Sequence, residues 1–259
     1  MKVDPSKIYF DPIDKEQRNK EVKTYQQNVK YKHRSYAKIY IIGILVLLAV
    51  PAITFLIHRF RFDNSFHAAG VPDYSGEYRS SIDEDPIQIE VSGKENGAIN
   101  GRSATIKYKY YYDITGVVTS VHDYFGFDLY STYVPRDVCL AWGSLKNSLN
   151  NPDISYRQHT RQCGISWKNN VIEEADDAFR GAFRTKVSHL QMSNNHLIPS
   201  TVEVRNQIFG LKRGDHVRIV GYLVNIYSQY EGNLFSSESR TDSGNGACEI
   251  IYVTKVEKL

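Results

Sequence analysis

The stretch IYIIGILVLLAVPAITFLI, residues 39–57, decides how this 259-residue chain is organised. It carries no charged side chain over nineteen residues. As an α-helix it would be about 28 Å long, close to the roughly 30 Å hydrocarbon core of a bilayer. A buried core helix rarely runs so far without a charge, and a cleaved signal peptide has a shorter apolar run. The stretch therefore predicts one uncleaved transmembrane helix.

Basic residues flank this predicted span unevenly. The six that precede it are Lys20, Lys23, Lys30, Lys32, Arg34 and Lys38. Within a similar distance after it there are two, Arg59 and Arg61. Because Lys and Arg are retained on the cytoplasmic side, the N-terminus is predicted to lie in the cytoplasm. The part after the span is then predicted to be exported to the periplasm or the cell exterior.

This topology divides the chain into four segments. We expect a basic cytoplasmic tail at 1–38, a transmembrane helix at 39–57, a tether at 58–75 and an extracytoplasmic β-rich domain at 76–259. The tail has only a weak apolar stripe, so we expect it to be mostly solvated and helical near the membrane. A helix that recruits a cytoplasmic partner is the alternative for the tail.

Charge separates the two halves of the chain. Residues 1–62 carry twelve Lys and Arg against five Asp and Glu, whereas residues 63–259 carry twenty against twenty-four. The basic half suits anionic lipid heads. The mildly acidic half argues against a nucleic-acid surface, which needs a local excess of Lys and Arg.

From residue 75 onward the sequence pattern is that of β-structure. Alternation at Pro86–Val91 predicts a strand, and Gly93–Gly97 predicts the turn that ends it. Further strands are predicted at Thr105–Val121, Phe127–Val134, Val138–Leu145, Lys186–Met192, His216–Tyr227 and Ala247–Val256. The segments between them are predicted to be irregular at 146–170, a short helix or loop at Ile172–Phe183, a turn at Asn194–Pro199 and a polar loop at Ser228–Gly246. Ser200 and Glu203 form a capping box that predicts a short helix ending near Leu211.

Two glycine-containing strands give the domain a resemblance to a known fold. They are Ile114–Val118 (ITGVV) and Gly214–Gly221 (GDHVRIVG), with the capped helix before the second. This order resembles the small exported OB-fold proteins of bacteria over residues 105–257. The resemblance implies a mainly β, OB-like five-stranded barrel with one short helix between its third and fourth strands. The chain departs from the pattern at 146–185 and has extra strands at 76–104.

Two polar loops are the richest in side chains that form hydrogen bonds, Asn194–Pro199 and Arg240–Gly246. Loops carry function more often than strands do. The candidate binding residues, taken from these loops and from predicted strands, are Trp142, Asn195, His196, Arg240, Asp242 and Glu249.

Cys248 offers an alternative interpretation as a nucleophile. His196 or His189 would be its base, and Asn195 or Asp242 would orient that base. However, Cys248 lies in an alternating predicted strand without a local catalytic motif, where a cysteine is usually core or disulfide. We therefore expect a protein that is not an enzyme.

Metal and cofactor motifs are not evident. The spacing of His189, His196, Asp215 and His216 fits no zinc template. A loop starting at Asp242 has the composition of a calcium loop, but glycines occupy its third and fifth positions. We expect neither a metal nor a cofactor.

The tyrosines near residue 110 are a possible binding surface. Alternation places Tyr108, Tyr110 and Tyr112 on one face of a strand and Tyr111 on the other. A stacking platform for single-stranded nucleic acid is one interpretation, but the acidic charge argues against it. A tyrosine-rich outer face that binds protein is favoured.

The three cysteines, Cys139, Cys163 and Cys248, all follow the predicted span. An oxidising compartment permits one disulfide and leaves one thiol. We favour Cys139–Cys163, because a bridge there would pin the polar 146–185 insertion to the domain. Cys248 would then stay reduced and buried. Three free buried cysteines, or a Cys139–Cys248 bridge, are the alternatives.

These observations predict a membrane-anchored binding or scaffold module of an envelope protein complex. Its expected partners are the lipid bilayer and other envelope proteins, not nucleic acid. The alternative is an envelope hydrolase or thiol enzyme that uses Cys248 and His196.

Overall fold

The protein forms two units in a computed structural model, Met1–Arg61 and Phe62–Leu259. The structure describes residues 12–60, 62–124, 130–159, 161–168, 191–230, 232–239 and 246–259. The predicted helix or loop at 172–183, residues 186–190 of the predicted strand at 186–192 and residues 240–245 lie outside these described residues.

The first unit contains one helix, α1 (Pro12–Phe60). Helix extends through most of the tail, further than expected, because residues 14–38 are rich in Lys, Gln, Glu and Arg, which favour helix. Among the residues that the structure describes, no helix combines the length and the apolar character needed to cross a bilayer. The side chains at 51, 52 and 54–57 of the predicted span lie outside that part.

The second unit is mainly β, as predicted, and most of its strands belong to one large sheet. Its strands are β1 (Ile87–Ile99), β2 (Arg102–Asp123), β3 (Arg136–Ala141), β4 (Ile154–His159), β5 (Gln162–Trp167), β6 (Met192–Pro199), β7 (His216–Ser228), β8 (Gly232–Leu234) and β9 (Glu249–Lys258). Seven form a sheet in the order β1-β2-β3-β6-β9-β7-β8, and β4 and β5 form a separate hairpin. β6 and β9 are parallel, whereas the other neighbouring strands of both sheets are antiparallel.

β2 is long enough to pair with β7 as well as with β1 and β3. Hydrogen-bonded neighbours therefore run from β2 through β3, β6, β9 and β7 and back to β2. Helix α2 (Val202–Phe209) connects β6 to β7. Its cap is Thr201, whose side chain accepts from the Val204 backbone N–H, so the helix starts one residue later than a Ser200 cap predicts.

The turn between β1 and β2 differs from the prediction. It lies at Asn100-Gly101, where φ is 50° and 77°, and not at Gly93–Gly97. Asn-Gly with positive φ at both residues is the strongest two-residue hairpin signal. Gly97 lies inside β1. A Cβ at this position would come 2.9 Å from the Phe66 ring, so the glycine serves close packing and not a turn.

The predicted tether at 58–75 is too long. Phe66 is fully buried, and Asn64 forms a bridge with Ile99. Val71 and Tyr74 also pack against buried residues. The folded unit therefore begins near Phe62, because these apolar side chains cover one face of the sheet.

Two cores lie on opposite faces of the sheet. The helix-side core packs under α2 and includes Ile114, Val138, Leu140, Leu197, Ile208, Ile219 and Ile251. The outer-face core packs under residues 62–74 and includes Phe66, Ile106, Tyr108, Tyr111, Ile198, Tyr222, Ile250 and Tyr252. Both faces of the central strands are thus dry, which accounts for their nearly continuous apolar runs.

The tyrosine-rich outer face does not form. A register shift between Tyr108 and Tyr110 places Tyr108 and Tyr111 in the outer-face core, while Tyr112 enters the helix-side core. These three are at most 2% exposed. A β-bulge adds a residue and reverses the alternation on which the prediction depended.

Three further segments differ from the predictions. Asn194–Pro199 is part of strand β6, not a turn, and its backbone pairs with β3 and β9. Residues 146–170, expected to be irregular, contain the β4–β5 hairpin. Residues 130–133 of the predicted strand at 127–134 form a turn, and the strand predicted at 138–145 ends at Ala141.

Candidate functional site

His196 is at the centre of a polar cluster on the outer face of β3, β6 and β9. Its Nδ1 lies 2.7 Å from Oδ1 of Asp137, which is the residue opposite it on β3. Asp137 is fully buried, and the His196 side chain is 13% exposed. The imidazole is therefore tied to a buried carboxylate through one nitrogen.

Asp137 receives two further hydrogen bonds. Arg161 Nη1 donates to its Oδ1 at 3.0 Å, and the Tyr124 hydroxyl donates to its Oδ2 at 2.9 Å. The Arg161 guanidinium also lies over the Tyr124 ring, 3.3 Å from its centroid. Burial and the charge of Asp137 raise the pKa of Tyr124, so it remains a donor. These donors hold the Asp137 carboxylate in one orientation.

Cys248 lies directly before β9 and is partly exposed. In the parallel pairing of β6 with β9, Asn195 faces Glu249, so Asn194 and Cys248 are the preceding neighbours. Asn194 Nδ2 donates to the Cys248 sulfur at 3.5 Å, and the thiol donates to the Arg161 carbonyl at 3.6 Å. Cys248 therefore lies on the same face of the sheet as His196. It is partly exposed and precedes β9, whereas the prediction placed it buried inside the last strand.

The protonation of His196 depends on both neighbours. Burial lowers its pKa, but the hydrogen bond to Asp137 and the proximity of Asp137 and Cys248 outweigh burial and raise it to about 9. At neutral pH the imidazole is then cationic.

The β4–β5 hairpin covers one side of this cluster. Gln158 of β4 bonds to Asn194 and Ser120. Arg161, in the turn of the hairpin, has a φ of 64°, an uncommon conformation for a residue other than glycine. Its side-chain bonds to Asp137 and to the Val134 carbonyl, 2.9 Å away, hold it there.

A disulfide attaches this hairpin to the sheet. It joins Cys139 of β3 to Cys163 of β5, with the two Cα atoms 6.1 Å apart. This is the pairing that the sequence analysis favours. Since all three cysteines lie in described strands or next to them, Cys248 is the one free thiol of the chain.

Comparison of the chain with protein-family models, with curated proteins and with solved structures finds no match in any of the three. Its function must therefore be argued from its own residues.

The structure describes four of the six candidate binding residues, and of these four His196 alone belongs to the cluster. Asn195 and Glu249 are adjacent across β6 and β9 but lie on the opposite face, and both are buried. Trp142 belongs to the helix-side core, with its indole N–H donating to Asp85 at 3.0 Å. Arg240 and Asp242 lie outside the described residues.

Sequence reasoning missed Tyr124, Asp137 and Arg161. Asp137 sits in a short apolar strand, and Arg161 in a segment without clear periodicity. One signal was available for Asp137, since a charged residue within a buried strand is rarely without a partner. In the described part of the chain, no group of three or more His, Cys, Asp and Glu side chains is arranged to hold a metal ion.

A second buried carboxylate, Asp113 on β2, is the centre of another polar cluster. Arg218 Nη2 donates to it at 2.7 Å and Nε at 2.9 Å. The Ser80 hydroxyl donates to it at 2.7 Å. Asp113 is fully buried and the Arg218 side chain is 2% exposed. This sealed pair fixes β2 to β7 and to the chain near Ser80.

Proposed function

We propose that this protein is a membrane-anchored binding module, with its N-terminus in the cytoplasm and its β domain in the periplasm or outside the cell. Residues 39–57 would be the transmembrane helix. The domain would bind other envelope proteins or a small ligand.

The observation that carries this proposal is the exposure of apolar side chains on α1. Between Ile39 and Val50, the large apolar side chains are 55% to 74% exposed. They lie on all sides of the helix, because they occupy nearly every consecutive position. A contiguous apolar surface of this kind requires a membrane or a partner to cover it. The absence of charge over nineteen residues favours the membrane.

Two features support the orientation. Six basic residues precede residues 39–57, and two follow closely. The Cys139–Cys163 disulfide lies in the second unit. Disulfides persist in oxidising compartments and are rare in the cytosol, so the bond favours export of this unit.

The strand order supports an OB-like barrel as the binding scaffold. An OB-fold is a five-stranded, partly open Greek-key barrel. The circuit β2-β3-β6-β9-β7 fits that arrangement, because α2 connects β6 to β7, which are its third and fourth strands in chain order. β1, β8 and the β4–β5 hairpin would be additions. The acidic balance of residues 63–259 favours protein or small-molecule ligands over nucleic acid.

Topology reporters and membrane extraction test the proposal. A reporter active only outside the cytoplasm should be active after Leu259 and inactive near Lys20. The intact protein should resist extraction from membranes by alkaline carbonate. The double substitution Leu47→Lys/Leu48→Lys should release the protein, because each central lysine costs about 3 kcal/mol of insertion free energy.

A matched control is available on the same helix. Val22 is also apolar and 49% exposed, but it lies outside the proposed span. Val22→Lys should therefore leave extraction and reporter activity unchanged. Release of the wild-type protein by carbonate, or the reverse reporter pattern, would contradict the anchor or its orientation.

A further inference from the structure

Cys248, His196 and Asp137 lie on or next to three adjacent strands of one sheet, β9, β6 and β3. Strands are rigid elements, and a site built on them is held more accurately than one on loops. The Asp137–His196 contact at 2.7 Å uses Nδ1 of the imidazole. Nε2 is therefore the nitrogen left to exchange a proton with the thiol.

This order of groups, thiol then imidazole then buried carboxylate, is that of a nucleophile with an oriented general base. The order depends on geometry and not on chain position, so the separation of the three residues in sequence is no objection. Asp137 is the buried member, and residue Cys248 is partly exposed. Cys248 therefore reaches the surface, while the Asp137 side chain does not.

We propose that Cys248 is the nucleophile of an acyl-transfer site that takes activated acyl groups, such as esters or thioesters. His196 is its general base and acid, and Asp137 is a positioning residue that fixes the imidazole. This activity goes beyond the binding role proposed above and does not depend on the membrane anchor.

The reaction balances without a cofactor. The Cys248 thiolate attacks the carbonyl carbon, a C–S bond forms, and the bond from carbon to the leaving group breaks. The His196 imidazolium gives its proton to the leaving alcohol or thiol. Water then attacks the thioester while His196 takes a proton from it, the C–S bond breaks, and a carboxylic acid is released.

Neighbouring groups stabilise the charges of this reaction. Asn194 Nδ2 donates to the sulfur, and its other bond, to the Arg161 carbonyl at 2.9 Å, holds the amide in place. Asp137 from β3 and Cys248 before β9 act on His196 directly, whereas Tyr124 after β2 and Arg161 from the β4–β5 turn contact Asp137. Arg161 and Tyr124 both bond to Asp137, so they keep the carboxylate fixed while the imidazole changes protonation.

Disulfide exchange within the chain is a weaker explanation of the cluster. It would take only the Cys248 thiolate and the Cys139–Cys163 bond, with one cysteine of that bond leaving as a thiolate. It has no need of a carboxylate that orients the imidazole. Acyl transfer uses every group of the cluster, because it requires proton transfer to a leaving group.

The experiment uses the purified full-length protein in detergent with p-nitrophenyl acetate as the probe. Release of p-nitrophenolate measures acylation, and mass spectrometry of peptides locates the acetyl group. We expect one acetyl group on Cys248 and an acylation rate at neutral pH at least about tenfold above that of the same protein in urea. Since Cys248 is the free thiol in both states, the unfolded chain is an internal control.

Substitutions assign the roles. Cys248→Ala should abolish acetylation, and His196→Gln should slow it about a hundredfold, the lower end of what a general base contributes. Asp137→Asn should slow it and change its pH profile, and Asp137→Glu should restore part of the rate. His216→Gln, on an exposed histidine of β7 outside the cluster, should have no effect. Circular dichroism checks that each variant is folded.

Two results would overturn the proposal. One is that folded wild-type protein is acetylated on Cys248 no faster than the unfolded chain, which requires no variant to fold. The other is that His196→Gln is folded and reacts at the wild-type rate. Either result would leave the cluster as a structural ion pair, and neither would affect the membrane-topology experiment.

Discussion

Asp113 and Asp137 are both fully buried carboxylates on the same sheet, and both are bonded to an arginine. They differ in what surrounds them. The partners of Asp113 are themselves sealed, with Arg218 2% exposed and Ser80 8% exposed. The partners of Asp137 extend toward solvent, with side-chain exposures of 13% for His196 and 16% for Arg161.

This difference separates an ion pair that only supports the fold from one that can also react. The polar atoms around Asp113 are used in holding β2, β7 and the Ser80 segment together. Around Asp137, the partly exposed Cys248 lies on the same face of the sheet as His196, beside Asn194 of the same strand. Substitutions at the first cluster should therefore change stability, and those at the second should mainly change thiol reactivity.

The largest expected effect is from Arg218→Met at the sealed cluster. It leaves the Asp113 carboxylate buried without its cation, which typically costs about 3–5 kcal/mol of unfolding free energy. Urea unfolding followed by tryptophan fluorescence would measure it. The control is Lys258→Met, which breaks an exposed pair with Asp215 and should cost less than about 1 kcal/mol. Equal losses in the two variants would contradict the distinction between sealed and exposed pairs.

Removal of the disulfide should have the next largest effect. Cys139→Ser/Cys163→Ser opens a link between residues 24 apart, worth roughly 3 kcal/mol in the chain-entropy model. The hairpin that carries Arg161 would also loosen over the Asp137 cluster. We expect faster alkylation of Cys248 by a bulky maleimide, measured by mass spectrometry. An unchanged alkylation rate would show that the hairpin holds its position without the bond.

Asp137→Asn should cost less stability than Arg218→Met. The partners it leaves, His196 and Arg161, can be solvated because they reach the surface, so the loss should be about 1–3 kcal/mol. Its effect on Cys248 acylation should be much larger than that of Arg218→Met. If both variants lowered acylation equally after correction for folding, the two clusters would not be functionally distinct.

The smallest effect concerns pH. The pKa of His196 is raised from 6.5 in the unfolded chain to about 9 in the fold. Its charged form therefore stabilises the fold fully below pH 6.5, and that contribution is lost as pH rises through about 9. The stability difference between wild type and His196→Gln should shrink over this window. A difference that is constant with pH would show that the imidazole is not cationic in the fold.

Local patterns predicted several elements well. His216–Tyr227 differs from β7 by one residue, because its alternation and the preceding Gly214-Asp215 turn are strong signals. The helix after Thr201 was found from its cap within one residue. The β1–β2 turn lies at Asn100-Gly101, whereas the glycines at 93 and 97 had predicted it at residues 93–97. Those glycines serve close packing with Val71 and Phe66, which is a long-range contact.

The candidate site was predicted only in part. His196 and Cys248 were singled out as an alternative because His and Cys are chemically distinctive. Asp137 could not be chosen, because its role depends on β3 pairing with β6 and on residues of a hairpin that had no clear pattern. The sequence predicts a turn at Asn194–Pro199 and names Asn195 as a candidate. In strand β6 the side chains alternate between the two faces, so Asn194 and not Asn195 faces the thiol.

β9 follows the other described strands of the sheet in the chain, and it lies between β6 and β7, with hydrogen bonds to both. The sheet therefore stays incomplete between β6 and β7 until residues 249–258 have left the ribosome. Pairing of strands far apart in sequence is slow, and unpaired edges promote aggregation. The domain should thus complete its sheet only after β9 has been synthesised. Until then the edges of β6 and β7 that pair with β9 stay open.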